Sequence, residues 1–543
     1  MRRELAFAIF AALIYLLSGT GVITHVDGVV NYALTRRMVD NATFSLDPSD
    51  PALTNNPEMV RGPDGTTYAH FNPGIPLLVA PLYIVGKTIS PILPRMADLT
   101  AADFLVSTTN AFVTAFCVFL VIAIVRELGY SRRAGFLAGA AFGFGSLAWN
   151  YATTLFTEPA TGACLLLSVL LLIHSRRREY PLALVFAAGL AASAAVFMRV
   201  SGAVFLPGLA LYILLAHRRS GKRLIWLLFA FAIGCAIFIA AIGWYNLVRF
   251  GSVLETGYTV GPNEFTGGIA DRPQRSAGIQ PVLYALYALL FSPGRGVFLY
   301  APVLVLGLLG LPALARRRPM EAGLLVGLSG LLLVVEAALP FDYWFGGWSY
   351  GARYLLPVIG LGAICSAAWF DQISRSRHSR LIVAGVMSAL VVLQLPTVLA
   401  NVNVTYYRAQ LATGLSTDRT YLVESWRAST YVGAWQQLGL VTGRVIHGDP
   451  TPRARLADLP DIAVALEGAE AFNTYQPWWL RLLQTARVTG VITVGLLVLV
   501  GATVLLAWLS LRLALRDGPR RIAGPAPQVG RVSQFGQVEH GDA

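Results

Sequence analysis

Long apolar runs recur along the whole chain, separated by short segments rich either in arginine or in glycine and aromatic residues. A helix needs about 20 apolar residues to cross a bilayer. The runs 5–23, 104–126, 134–151, 159–175, 181–198, 202–217, 224–247, 297–314, 321–340, 354–371, 380–400 and 488–513 reach or approach that length, and predict about 12 transmembrane helices. The run 75–93, "IPLLVAPLYIVGKTISPIL", is interrupted by Pro76, Pro81 and Lys87 and reads as an interfacial or re-entrant helix. The run 280–291 is short and amphipathic and reads the same way. The opening "MRRELAFAIFAALIYLLSG" is built like a signal peptide. No small-residue cleavage site follows it, so an uncleaved first span is expected.

The arginines orient these spans. With "MRRE" on the cytoplasmic side, "RELGYSRR", "HSRRREY", "HRRSGKR", "ARRRP", "SRSRHSR" and "RDGPRR" all fall inside, as cytoplasmic loops require. Counting 75–93 as a full span would put the next clusters on the wrong side. The expected fold class is an all-α polytopic membrane protein, with a long first extracytoplasmic loop carrying interfacial helices and a small extracytoplasmic C-terminal region. Its parts are a transmembrane module over 1–400 that contains the loop 24–103, an extracytoplasmic region over 401–486, a last span over 487–513 and a cytoplasmic tail over 514–543. The tail's Pro, Gly and Gln content predicts disorder. Trp478 and Trp479, in "NTYQPWWLRLL", suit an anchor at the membrane interface.

Composition agrees. The 543 residues are 55% hydrophobic and 13% charged, with mean hydropathy +0.60; soluble domains carry about 25% charged residues. The net charge of +13 does not point to nucleic acid, because the basic residues form loop clusters between apolar runs. Only Lys87 and Lys222 are lysines, and with the Ala, Gly, Leu and Val content this looks like the product of a GC-rich bacterial genome. Cys117, Cys164, Cys235 and Cys365 lie inside apolar runs and read as small core residues.

Ionisable groups beside membrane spans are costly, and here they converge on the outer face. Asp27 follows span one, Glu158 opens span four in "LFTEPATG", and Arg199 lies between spans five and six. Glu336 is one turn from the outer end of span nine, with Asp342, Arg353 and the Arg295 of "SPGRG" nearby. Singly, each has an ordinary reading. Asp27 and Glu158 suit helix N-termini, and Arg199 suits a snorkelling cation. Together, beside Gly-rich and aromatic loops, they predict a shared polar cavity. Tyr343 and Trp344, in "FDYWFGGWSY", suit the apolar face of a sugar. His70, in "YAHFNPGIPLL", is first of all a hydrogen-bonding loop histidine, with a phosphate or metal contact as the functional alternatives. HExxH, P-loop, GxSxG and CxxC patterns are absent, so the usual soluble-enzyme chemistries get no support.

An acid after span one, a long first outside loop, the "PGIPLL" interfacial helix and an acid-Pro at the third-to-fourth span turn together resemble the GT-C glycosyltransferases. These are polyprenyl-phosphate-dependent membrane enzymes, among them protein O-mannosyltransferases, aminoarabinose transferases and arabinosyltransferases. "YNLVRFGSVLETGY", "LLFSPGRGVFLYAPVL" and "WFGGWSYGARYLLP" resemble segments of bacterial members of that group. The resemblance spans roughly residues 1–400. It implies a hexosyl- or pentosyltransferase of the plasma membrane with its active site outside. A sugar would pass from a polyprenyl-phosphate donor to an extracytoplasmic glycan, lipid or protein. Asp27 would be the catalytic base and Glu158 the second, supporting acid; the two are candidate ligands of a divalent cation, Mg²⁺ or Mn²⁺. Arg199, Arg295 and Arg353 would hold the donor phosphate. Where many relatives have Asp-Glu, this chain has Asp27-Gly28. The rival reading is a lipid or sugar transporter or flippase, which would favour inverted repeats and midplane polar groups.

Overall fold

The computed structural model describes residues 1–23, 25–53, 56, 58–92, 100–260, 278–339, 344–347, 349–373, 377–405, 419–447, 474–484 and 491–516. Asp342, Tyr343, residues 406–418, 448–473 and 485–486, and the tail from 517 lie outside the described residues.

A helix stands over every expected span. In chain order they begin with α1 (Arg2–Ser18), α2 (Val26–Asn41), α3 (Gly74–Ile89), α4 (Ala101–Ser107), α5 (Thr109–Glu127), α6 (Arg132–Phe144) and α7 (Ala148–Ala152). The middle of the chain supplies α8 (Glu158–Ser175), α9 (Leu182–Met198), α10 (Phe205–Ala216), α11 (Lys222–Phe250), α12 (Ile279–Phe291), α13 (Val297–Tyr300), α14 (Val303–Arg317) and α15 (Pro319–Ala338). Then follow α16 (Leu356–Ile373), α17 (Arg377–Leu399), α18 (Arg419–Glu424), α19 (Thr430–Ile446), α20 (Trp478–Gln484) and α21 (Val491–Leu515).

Among the described residues, seven helical segments are long and apolar enough to cross a membrane: Ala101–Glu127, Glu158–Ser175, Lys222–Phe250, Pro319–Ala338, Arg353–Ile373, His378–Leu399 and Thr493–Leu515. The other expected spans are shorter. The run 134–151 is divided at Gly145 and Ser146 into α6 and α7, and α6, with 13 residues, covers only about 20 Å at 1.5 Å per residue. The run 297–314 is divided in the same way, at Ala301 and Pro302.

The all-α expectation needs one correction. Met59–Arg61 and Thr67–Ala69 form an antiparallel hairpin with Met59 opposite Ala69 and Arg61 opposite Thr67. Its turn is "GPDG", residues 62–65, where the Asp64 carboxylate accepts from Thr66 N at 3.0 Å and Gly65 takes a positive φ of 79°. The loop 24–103 also holds a helix that the apolar-run pattern does not reveal. In α2 only Val30, Ala33 and Leu34 are apolar and fully buried, on one stripe, and they meet Leu46, Leu53, Met59 and Ala69 in a small separate core. Asp40 ties α2 to α3, accepting from Tyr83 Oη at 2.6 Å and Lys87 Nζ at 2.7 Å.

Two further features position the site. Helices α14, α15 and α16 enclose an apolar groove of about 270 Å³, lined among others by Leu304, Leu311, Leu325, Leu333, Leu355 and Ile359. At the start of the chain, Trp478 and Trp479 of α20 donate from their indole nitrogens to the carbonyls of Leu16 (3.1 Å) and Leu17 (2.9 Å). They cap the unsatisfied C-terminal carbonyls of α1. Gly21 adopts φ +69°, and a Cβ there would lie 2.8 Å from Trp478 Cβ, so the exit turn of α1 admits no side chain under the indole.

Candidate active site

Asp27 sits in the first turn of α2, whose N-cap is His25. The positive end of a helix dipole suits an acid there. Asp27 is nevertheless only 6% exposed, and it faces a partner 326 residues away: Arg353 Nη1 donates to Asp27 Oδ2 at 3.0 Å. Arg353 opens the short 3-10 turn that leads into α16. Its Nε stands 3.7 Å from Glu158 Oε1, which in turn accepts from Arg199 Nη1 at 2.6 Å. Glu158 is fully buried, with 0% exposure, at the start of α8, where Pro159 occupies the position whose N–H would otherwise lack a partner. Arg199 lies in an extended break (φ −152°) after α9. The four groups form one chain of alternating charge: Asp27, Arg353, Glu158, Arg199.

Aromatic rings wall this chain. Arg199 lies 4.1 Å above the Tyr354 ring, and Arg353 lies 4.8 Å from Phe156 and 5.0 Å from Tyr354. His25 packs 4.6 Å from the other side of Phe156. Burial pushes the His25 imidazole down to about 4, with Arg353 adding to the effect and Asp27 opposing it. Desolvating four charges is expensive, and their mutual attraction repays it only in part. Such clusters of buried titratable groups mark functional sites more often than they mark stability.

All four groups lie at the same end of the bundle. Glu158 begins α8, and Arg176 follows the far end of that helix and pairs with Glu321. Glu336, near the last turn of α15, lies within electrostatic reach of Arg199, Glu158 and Arg353. Tyr258 reaches the cluster from the other side, close enough to feel Arg199, Glu58 and Asp27, and burial raises its phenol.

The remaining expected residues divide. His70 packs edge-on to Tyr258, with ring centroids 4.1 Å apart, and so stands behind the cluster. Arg295, 0% exposed, is directed elsewhere. It donates to the carbonyls of Gly347 (2.6 Å), Ser349 (2.8 Å) and Gly294 (3.1 Å), and braces the glycine-rich loop that leads to Arg353. Trp344, 4% exposed, packs against Tyr284 of α12 at 6.0 Å and Phe345 at 5.8 Å, so its ring offers no open face. Tyr343 is outside the described residues. Sequence reasoning assigned no role to Tyr258, Tyr354 or Phe156, although all three adjoin or fall within motifs singled out for other residues.

A divalent cation shared by Asp27 and Glu158 does not fit this arrangement. The Arg353 guanidinium occupies the space between the two carboxylates, bonded to one and 3.7 Å from the other. Among the described residues no group of three His, Cys, Asp or Glu side chains is placed to hold a metal. Gly28 explains why the second acid of an Asp-Glu pair is missing: a Cβ there would lie 3.1 Å from the Leu155 carbonyl and 2.9 Å from Ile23.

No family model matches the sequence, and no curated protein is similar to it. Among solved structures the chain is similar to ArnT from Cupriavidus metallidurans bound to undecaprenyl phosphate, with 16% identity, 89% of this chain and 77% of that one covered, and a TM-score of 0.48. It is also similar to the oligosaccharyltransferase of Archaeoglobus fulgidus in the apo form, at 13% identity and a TM-score of 0.45, covering 78% of this chain and 60% of that one. The same organism's oligosaccharyltransferase AglB, in complex with an inhibitory peptide and a dolichol-phosphate, is similar at 12% identity and a TM-score of 0.44, covering 78% and 59% of the two chains.

Proposed function

We propose that this protein is a membrane glycosyltransferase that moves a sugar from a polyprenyl-phosphate donor to an acceptor on the extracytoplasmic side of the plasma membrane. One observation carries the reading. Arg353 Nε is buried and has no hydrogen-bond partner among the described residues, and it lies two residues from Leu355, which lines the apolar groove. A cationic donor that makes no hydrogen bond, within ion-pair range of Glu158 and close in sequence to the apolar groove, matches an anion on an isoprenoid tail. Undecaprenyl phosphate and dolichol phosphate, seen in two of the similar structures, are of this class.

The groove follows α16 from Leu355 to Cys365, roughly 15 Å at helical rise. It takes the first isoprene units, and Arg353 and Arg199 take the phosphate. Asp27 accepts the proton of the acceptor hydroxyl. The acceptor oxygen bonds to the anomeric carbon, the bond from that carbon to the phosphate oxygen breaks, and the phosphate leaves with the electron pair. General-base help contributes roughly 10²–10⁴-fold, and the arginines stabilise the charge that develops on the leaving phosphate. Glu158 holds Arg199 and faces Arg353, and so positions both.

The test blocks the groove without touching the charges. Gly330 lines it, and a Cβ there meets nothing within 4 Å. Gly330→Phe is expected to insert and fold normally while losing photo-crosslinking to a diazirine-bearing undecaprenyl phosphate. Unchanged crosslinking in that variant, or no binding of polyprenyl phosphates by the wild type in nanodiscs, overturns the reading.

A further inference from the structure

Glu336 is 2% exposed, and its Oε2 has no hydrogen-bond partner among the described residues. A buried carboxyl oxygen without a hydrogen-bond partner is costly. That cost is sustained where a ligand supplies the missing donor. Three features define the donor. Glu336 lies within electrostatic reach of Arg199, Arg353 and Glu158, so it faces the site where the phosphate is placed. Leu333, one turn earlier on α15, lines the apolar groove, so Glu336 stands where the tail ends and the headgroup begins. The Glu336 Oε2 atom lacks a partner among the described residues, and neither an isoprenoid nor a fully ionised phosphate has a hydrogen to give it. The hydroxyls of a sugar esterified to that phosphate do.

We infer that Glu336 is a specificity-determining residue whose free carboxylate oxygen accepts a hydrogen bond from a hydroxyl of the donor sugar, next to the anomeric carbon. The inference rests on the glycosyltransferase reading and deepens it: the site distinguishes a sugar-loaded lipid phosphate from a bare one. A hydrogen bond to the neighbouring hydroxyl strengthens as positive charge develops at the anomeric centre. A site built to pair a hydroxyl also rejects the analogue that lacks it, because the carboxylate is then left unpaired.

The full-length protein in nanodiscs provides the test. Affinities are measured for bare undecaprenyl phosphate and for its phosphoryl-linked glucose, mannose and arabinose forms. In the wild type at least one sugar-bearing form is expected to bind ten-fold or more tighter than the bare lipid. Glu336→Ala is expected to abolish that preference while leaving affinity for the bare lipid within about two-fold, and Glu336→Gln, which keeps an acceptor oxygen, to restore part of it. The 2-deoxy form of the preferred donor is expected to bind wild type and Glu336→Ala alike. A sugar preference that survives in Glu336→Ala overturns the inference. So does an equal change toward bare and loaded lipid, which would make Glu336 a partner of the arginines alone. Failure of the wild type to bind any of these lipids is a different result: it removes the glycosyltransferase reading itself.

Discussion

Arg353 Nη1 and Asp27 Oδ2, brought from opposite ends of the transmembrane module, lie 3.0 Å apart. The proposed base is therefore paired with a proposed phosphate ligand. Donor binding draws on the same guanidinium that holds Asp27, so the phosphate and the carboxylate compete for it. Asp27→Asn keeps the shape but cannot take a proton. It is expected to insert normally, bind donor at least as tightly as wild type because the guanidinium is released, and lose roughly 10²–10⁴-fold in transfer rate. The control is Asp47, whose carboxylate accepts from Ser49 N and Oγ, and Asp47→Asn is expected to match wild type.

Removing the cation instead of the acid leaves Asp27 and Glu158 buried without their shared partner. Breaking one side of a buried pair costs about 3–5 kcal/mol. Arg353→Ala is expected to unfold at a markedly lower temperature, and adding Asp27→Asn is expected to recover part of the loss. Arg353→Lys is expected to keep stability better than it keeps donor affinity, because a point charge replaces a fork that reaches two carboxylates. Thermal unfolding of the single and double variants checks this.

His25 gives an acid-side signature. Its imidazole, ordinarily near 6.5, is pushed down to about 4 by burial, with Arg353 adding to this and Asp27 opposing it. Below pH 6.5 the unfolded chain takes up a proton that the folded chain refuses until about pH 4. Stability from this group is thus full above pH 6.5, falls between 6.5 and 4, and levels off below. Unfolding midpoints across that window are expected to drop more steeply for wild type than for His25→Gln.

Arg295 is expected to act through the loop it braces. Arg295 reaches the carbonyls of Gly294 and Ser349 from Nη1 and that of Gly347 from Nη2, two separated nitrogens that the single Nζ of a lysine does not reproduce. Arg295→Lys is expected to raise the donor KM while leaving the pH profile unchanged, and to make the 344–352 loop more sensitive to proteolysis. An altered pH profile would instead place Arg295 against the reacting groups.

The helical architecture was legible because membrane spans announce themselves by length and apolarity. So was the convergence of Asp27, Glu158, Arg199 and Arg353, since each sits at the same end of its span. Their pairing was not legible, because proximity across 326 residues leaves no local pattern. Arg295 and Trp344 misled for a physical reason. Arginine and tryptophan beside glycines suit a ligand, but they suit backbone carbonyls and ring packing equally well. Helix α2 was hidden because a helix that buries three apolar positions in a small core has no long apolar run. Tyr258 was hidden because a single loop tyrosine carries no periodic signal.

The two indoles that cap α1 also bear on how the protein is made. Asp27 is translated well before α20, yet the exit turn of α1 is pinned by Trp478, Trp479 and Arg481, the last of which donates to the Thr20 carbonyl at 3.0 Å. The turn that leads from α1 toward Asp27 is therefore clasped only once α20 has been translated and inserted. A nascent chain, or one cut short before α20, holds the charged groups without the clasp. Synthesis order thus leaves the exit turn of α1 unclasped until α20 is in place.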